Sequence, residues 1–108
     1  MVEEFRVKGL AVVEFWASWC LPCRFVGGII HNLVELYDIK HYRVNVDIEK
    51  ELTERYRIMG IPYILFFKDG YPISSAHAVK GEKGFDAAGT RDLIRRRIDA
   101  LQNSFPQW

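Results

Sequence analysis

The chain of 108 residues has little of what would mark a specialised class of protein. It has only two cysteines, too few for a secreted domain held together by disulfides. Its 15 basic and 14 acidic residues nearly cancel, so charge gives no sign of a nucleic-acid surface. No apolar run approaches the roughly 18 residues of a membrane span, and the charged start lacks a signal-peptide core. We therefore expect a cytoplasmic protein, unless a leader was removed, that binds neither nucleic acid nor membrane.

The chain does have enough apolar material for a core. Hydrophobic residues make up 49% of it and aromatic residues 14%, which argues against disorder. No repeat, linker or low-complexity segment divides the sequence. We therefore predict a single domain over residues 1–108.

Apolar residues recur at spacings that indicate alternating strands and helices. Leu10–Trp16 is apolar except at Glu14, as in a strand buried on both faces. Residues 20–37 show helical spacing, interrupted by Gly27 and Gly28, and residues 42–48 alternate like a strand. Beyond them we predict a short helix at 49–57, strands at 63–67 and 73–79 joined by an Asp69-Gly70 turn, a loop at 80–89 and a helix capped by Thr90. This order predicts an α/β protein with a mixed sheet and helices on both faces.

Both cysteines lie in the segment Trp16-Ala17-Ser18-Trp19-Cys20-Leu21-Pro22-Cys23-Arg24, where the first strand leads into a helix. At a helix start, Cys20 would meet unpaired backbone N–H groups and the positive end of the helix dipole. Both favour the thiolate, the form that attacks a disulfide. Cys23 lies one turn further on, would be less exposed, and could resolve a mixed disulfide formed by Cys20. We therefore predict reversible dithiol–disulfide chemistry at this pair.

The segment 12–24 resembles the active-site segment of the thioredoxin family. Gly60-Ile61-Pro62-Tyr63, followed by an apolar strand and Lys68-Asp69-Gly70, resembles the family's cis-proline strand and hairpin. The resemblance covers residues 10–80 and implies a thioredoxin fold, with a mixed sheet of about four strands flanked by helices. Only Met1 to Trp19 precede Cys20, so we expect the family's first strand to be missing. The chain would then be a monomer with an exposed sheet edge, or a dimer through that edge.

The resemblance also implies a role for the charged residue in the first strand. Glu14 stands where the family has Asp, which implies that it accepts the proton of Cys23, directly or through water. A buried carboxylate is costly, so Glu14 should be hydrogen-bonded or hold its proton more tightly than usual. Arg43 lies near the position of a family Lys and could pair with Glu14. Gly28 stands where many members have a helix-kinking Pro, so the Gly pair could supply the same bend.

A second group of residues would bind the substrate. By resemblance Pro62 is a cis proline that faces the disulfide and leaves Ile61 backbone groups free to pair with an extended chain. Pro22 would tune the cysteine pair, because it fixes φ and lacks an N–H group. Gly81 or Gly84 would border the groove. An apolar docking surface around Cys20 is predicted from Trp19, Leu21, Ile61 and Tyr63.

Together these features imply a protein-disulfide reductase that needs no cofactor and no metal. Its partners would be protein disulfides and an electron donor of the thioredoxin-reductase type. Leu21 replaces a Gly common in the family, so a thiol oxidase or isomerase stays open. Two other functions also stay open: a redox-inactive interaction module, and a protein whose cysteines from two chains share a zinc ion or an iron–sulfur cluster. The scattered His31, His41 and His77 are interpreted as surface or core residues.

Overall fold

The structure is a computed structural model that describes Phe5 and residues 7–103. The described part contains six strands and three helices. In chain order these elements are β1 (Leu10–Trp16), α1 (Leu21–Tyr37), β2 (Lys40–Asn45), α2 (Lys50–Arg55), β3 (Tyr63–Lys68), β4 (Tyr71–His77), β5 (Lys80–Gly81), β6 (Gly84–Phe85) and α3 (Ala87–Asn103). None of these helices is both long and apolar enough to cross a bilayer.

Four of the strands form one mixed sheet in the order β2-β1-β3-β4. Strands β1 and β2 are parallel and joined through α1, whereas β3 is antiparallel to both β1 and β4. This confirms the predicted thioredoxin fold with its mixed sheet of four strands. The register places Glu14 of the central strand β1 directly beside Arg43 of β2. The predicted absence of a first strand concerns residues that lie largely outside the described ones.

The sheet separates two hydrophobic clusters, because successive side chains of a strand point to opposite faces. Val12 of β1 packs with residues of α1 and α3 on one face. Val13 and Phe15 pack on the other face with Phe5 and with Leu52 of α2. Helices therefore cover both faces, as predicted. The continuous apolar run of β1 reflects its place between the two clusters.

The last helix begins earlier than predicted, and Thr90 is not its cap. The helix starts at Ala87, and the Gly89 amide donates to Asp86 Oδ1 at 2.9 Å, the contact of an N-cap carboxylate. The Thr90 hydroxyl instead donates to the Asp86 carbonyl at 2.7 Å and accepts from the Val79 amide at 2.9 Å. The buried Thr90 hydroxyl therefore links α3 to the segment that follows β4 by hydrogen bonds. The predicted loop at 80–89 also contains the small β5–β6 hairpin.

Candidate active site

The two cysteines are joined by a disulfide at the start of α1. Cys20 is the residue before the helix, with an extended backbone and no side-chain capping bond, and Pro22 lies in the first turn. Cys20 is 5% exposed and Cys23 is 1% exposed, so the order of exposure is as predicted, although the difference is small. The end of the apolar strand and the start of the helix thus bring both sulfurs to the carboxyl end of the central strand β1. Only Cys20 lies where the helix's unpaired N–H groups begin.

Glu14 is fully buried beneath this disulfide-bearing helix. Its Oε1 accepts a hydrogen bond from Arg43 Nε at 3.0 Å and lies 3.3 Å from His41 Nε2. Its Oε2 has no hydrogen-bond partner among the described residues. The expected pairing with Arg43 is therefore present, and the carboxylate keeps one oxygen without a donor. The Arg43 guanidinium also lies 4.3 Å from the centre of the Trp16 ring, which holds it in place.

His41 is the site residue that sequence reasoning missed. We interpreted it as an ordinary core or surface histidine, but it is a second neighbour of Glu14 Oε1. The signal was available in principle, because His41 and Arg43 are two apart on a strand and share its face. Finding it required the parallel register that places β2 beside β1.

A cleft beside Cys23 is lined in part by the two basic neighbours of Glu14. We call it the rear cleft, and its volume is about 610 Å³. Cys23, Gly27, His41 and Arg43 all line it. An added Cβ at Gly27 would lie 3.0 Å from Arg43 Nη2, so this glycine allows the helix to approach the buried ion pair closely. A Cβ added at Gly28 would meet nothing within 4 Å, so close packing requires a glycine at position 27 but not at position 28.

A second cleft, which we call the front groove, lies on the side of Pro62 and has a volume of about 520 Å³. The Ile61–Pro62 peptide bond is cis, as predicted. Four of the predicted substrate-binding residues line the groove, namely Pro22, Ile61, Pro62 and Tyr63. The groove is bordered by Ala78, Lys80 and Phe85, whereas Gly81 and Gly84, the two glycines predicted to border it, are not among its lining residues.

The other predicted binding residues lie outside the front groove. Trp19 is 68% exposed and lines a neighbouring apolar cleft together with Met59 and Ile61. Its indole Nε1 donates to Asp47 Oδ2 at 2.8 Å, a contact that the sequence did not reveal. Leu21 is 64% exposed and lines none of these clefts. Met59, Gly60 and Ile61 line both the front groove and the neighbouring cleft, and Ile61 is the one of them that was predicted to bind substrate.

Metal-binding residues do not converge in the described part of the chain. No group of three His, Cys, Asp or Glu side chains there could hold a metal ion. His31 pairs with Glu35 on the surface of α1, and His77 lies beside the Ala78 carbonyl. Of the three histidines, only His41 contacts a residue predicted to take part in the chemistry.

Comparison with known proteins identifies similar sequences and a similar fold. The family model described as thioredoxin matches residues 2–88. Thioredoxin from Chlamydia pneumoniae is 33% identical over 82 residues, which span 75% of this chain and 80% of that protein. Thioredoxin from Staphylococcus epidermidis is 36% identical over 68 residues, which span 61% of this chain and 65% of that protein. The solved structure of a mutant thioredoxin from Halobacterium salinarum NRC-1 superposes with a TM-score of 0.75 over 92% of this chain and 80% of that one. Its sequence identity is 21%, so it shows a likeness of fold alone.

Proposed function

The chain belongs to the thioredoxin family, and on that premise we propose that it reduces disulfide bonds in other proteins through its Cys20–Cys23 pair. Membership of the family and a disulfide between close cysteines support thiol–disulfide oxidoreductase chemistry. The observation that carries the finer proposal is the position of this disulfide. It lies at a helix start beside an apolar groove that can receive a substrate chain.

The reaction starts from the reduced protein. The Cys20 thiolate attacks one sulfur of the substrate disulfide, forms a mixed disulfide and releases the other substrate sulfur as a thiolate, which takes up a proton. Cys23 then loses its proton and attacks Cys20, so the second substrate thiolate leaves and is protonated in turn. Two electrons pass to the substrate, and the protein is left with the Cys20–Cys23 disulfide. A dithiol electron donor of the thioredoxin-reductase type restores the reduced form.

Glu14 is proposed to accept the proton of Cys23. Arg43 and His41 occupy its Oε1, whereas Oε2 has no donor among the described residues and has a free lone pair. Cys23 and the two basic neighbours of Glu14 line the rear cleft, which supports a path for the proton from Cys23 to Glu14, directly or through water.

The substrate is proposed to lie across the front groove as an extended segment. Ile61 and Pro62 form one wall of this groove, and Ile61 backbone groups can pair with the segment as an added strand. Pro22 connects the groove to the cysteine turn. This direction of reaction suits a reducing compartment such as the cytoplasm, where dithiol donors are maintained.

An insulin-reduction assay with dithiothreitol tests the proposal. The wild type should accelerate turbidity, and Cys20→Ser should reduce the rate to that of dithiothreitol alone. Cys23→Ser keeps the nucleophile, so it should accumulate a mixed disulfide that mass spectrometry detects, whereas Cys20→Ser should not. Equal turbidity rates for the wild type and Cys20→Ser would show that the proposal is wrong. The reduction potential of the pair, measured against glutathione, separates a reductase from an oxidase.

A further inference from the structure

The charged residues that line the front groove all have the same sign. They are Arg57 and Lys80; the ionisable His77 also lines the groove, and no carboxylate from the described part of the chain does. The rear cleft shows the same pattern, because its charged or ionisable residues are Arg24, His31, His41 and Arg43 besides the disulfide-bonded Cys23. The whole chain has a net charge of only +1. In the rear cleft His41 and Arg43 contact Glu14 and His31 contacts Glu35, so most of its basic groups are compensated, whereas those of the front groove are not.

The two cationic side chains of the front groove, Arg57 and Lys80, have no partner among the described residues. Neither the Arg57 nor the Lys80 side chain makes an ion pair or hydrogen bond with any described residue, and both side chains are exposed. Some basic residues elsewhere do have partners, since Arg95 and Arg96 both pair with Asp92. The cations at the groove therefore remain available to a ligand.

The backbone at Arg57 gives no structural reason for an arginine. Its φ is 53°, in the left-handed region that favours glycine, and a side chain costs about 1 kcal/mol there. The Arg57 amide donates to the Glu54 carbonyl, a bond that any residue except proline can make. The guanidinium is thus not explained by the turn that carries it.

The floor of the groove is apolar. Pro62 is buried, and Ile61 and Tyr63 are partly buried beside it. On the opposite side Phe85 stacks on Phe25, with ring centres 5.8 Å apart. The groove therefore combines an apolar floor with a basic rim. An apolar side chain flanked by carboxylates complements both parts.

We propose that the front groove selects disulfides in acidic protein segments, in which carboxylates contact Arg57 and Lys80 while an apolar side chain lies between Ile61 and Phe85. This inference rests on the proposed function, because it names the substrate class of the same site. A protein segment is a better fit than a small thiol compound, since the apolar floor would contribute nothing to binding glutathione. Exposed ion pairs are weak, so each cation should change the rate about two- to five-fold at low salt.

The test uses two disulfide peptides that differ only in having Glu or Gln on both sides of one cysteine. The reduced wild type is mixed with each peptide, and thiol release gives the second-order rate constant. The acidic peptide should react about ten-fold faster at low salt, and this advantage should shrink at 1 M salt, where the screening length is about 3 Å. Arg57→Gln and Lys80→Gln should each lower the preference about two- to five-fold.

A matched control separates a local contact from net charge. Lys83 lies in the turn of the β5–β6 hairpin that carries Lys80, is exposed and does not line the groove. Lys83→Gln removes the same charge, so it should leave the preference for the acidic peptide unchanged. An equal loss in Lys83→Gln and Lys80→Gln would overturn the proposal, as would equal rates for the two peptides. Glutathione disulfide reacting as fast as the acidic peptide would also overturn it.

A binding measurement keeps this inference distinct from the proposed function. A Cys20→Ser, Cys23→Ser variant cannot react, and fluorescence anisotropy of labelled peptides reports its affinity for each one. Preferential binding of the acidic peptide without reduction by the wild type would support the basic rim and contradict the reductase. If both peptides are reduced at equal rates and bound with equal affinity, the result would support the reductase and refute the proposed preference for acidic segments.

Discussion

Two adjacent glycines in α1 offer a quantitative test of how the buried acid is held. Gly27 and Gly28 lie in the same helix, and each would gain about 1 kcal/mol of helix stability on replacement by alanine. A Cβ at Gly28 would meet nothing within 4 Å. A Cβ at Gly27 would lie 3.0 Å from Arg43 Nη2 and 3.5 Å from Glu14 Oε2. The two substitutions therefore differ in what they do to the ion pair.

Arg43 cannot move away from this Cβ without loss. Its Nε donates to Glu14 Oε1 at 3.0 Å, and its guanidinium lies 4.3 Å from the centre of the Trp16 ring. A hydrogen bond between charged groups contributes about 1.5–3 kcal/mol, and breaking this one leaves a buried carboxylate with His41 as its partner. Subtracting that loss from the helix gain, we expect Gly27→Ala to lower the free energy of unfolding by about 0.5–2 kcal/mol.

The measurement is urea denaturation of the oxidised protein at pH 7, followed by circular dichroism. Gly28→Ala should raise the free energy of unfolding by about 0.5–1 kcal/mol, opposite in sign to Gly27→Ala. In an Arg43→Gln background the shorter side chain lacks the guanidinium atoms that the Cβ would contact. Gly27→Ala should then recover much of the helix gain. Equal stabilisation by both alanines in the wild-type background would refute this reasoning, because Arg43 would then have moved at no cost.

Three further substitutions test the buried charge, a surface ion pair and the core. Glu14→Leu should raise the free energy of unfolding by about 1–3 kcal/mol, because it removes a buried charge whose cationic partner, Arg43, can reach solvent. The same substitution should slow insulin reduction. A Leu variant less stable than the wild type would contradict this reasoning. The hydrogen bond from Arg95 holds the pKa of Asp92 below its ordinary value of 3.8, so the pair stabilises the fold above that pH and the stabilisation is lost as pH falls through the lower folded-state pKa. The urea midpoints of the wild type and Asp92→Asn should therefore differ at pH 6, and the difference should shrink as the pH falls below 3.8. Ile98→Ala, at a fully buried position, should cost about 2–5 kcal/mol by urea denaturation, and a cost below about 1 kcal/mol would mean that the core collapses around the gap.

Local patterns in the sequence were enough for the main elements and for the cysteine pair. The apolar run Leu10–Trp16 predicted β1 with the bounds that the structure has, because a strand between two hydrophobic clusters needs apolar residues on both faces. The Asp69-Gly70 turn predicted the β3–β4 hairpin, since both residues adopt positive φ. The two cysteines and the helix start are neighbours in the chain, so their association needs no long-range contact.

Tertiary structure decided the contacts between residues far apart in the chain. The parallel register pairs Glu14 with Arg43, and His41, two residues earlier on the same face of β2, then lies 3.3 Å from Glu14 Oε1. Thr90 was a plausible cap by residue type, yet Asp86 caps the helix while Thr90 ties it to the Val79 amide. Sequence by itself therefore determined the redox pair and the fold class. Packing of distant segments decided how the buried acid is held and which charges border the front groove, because both depend on the separation of strands and loops in space.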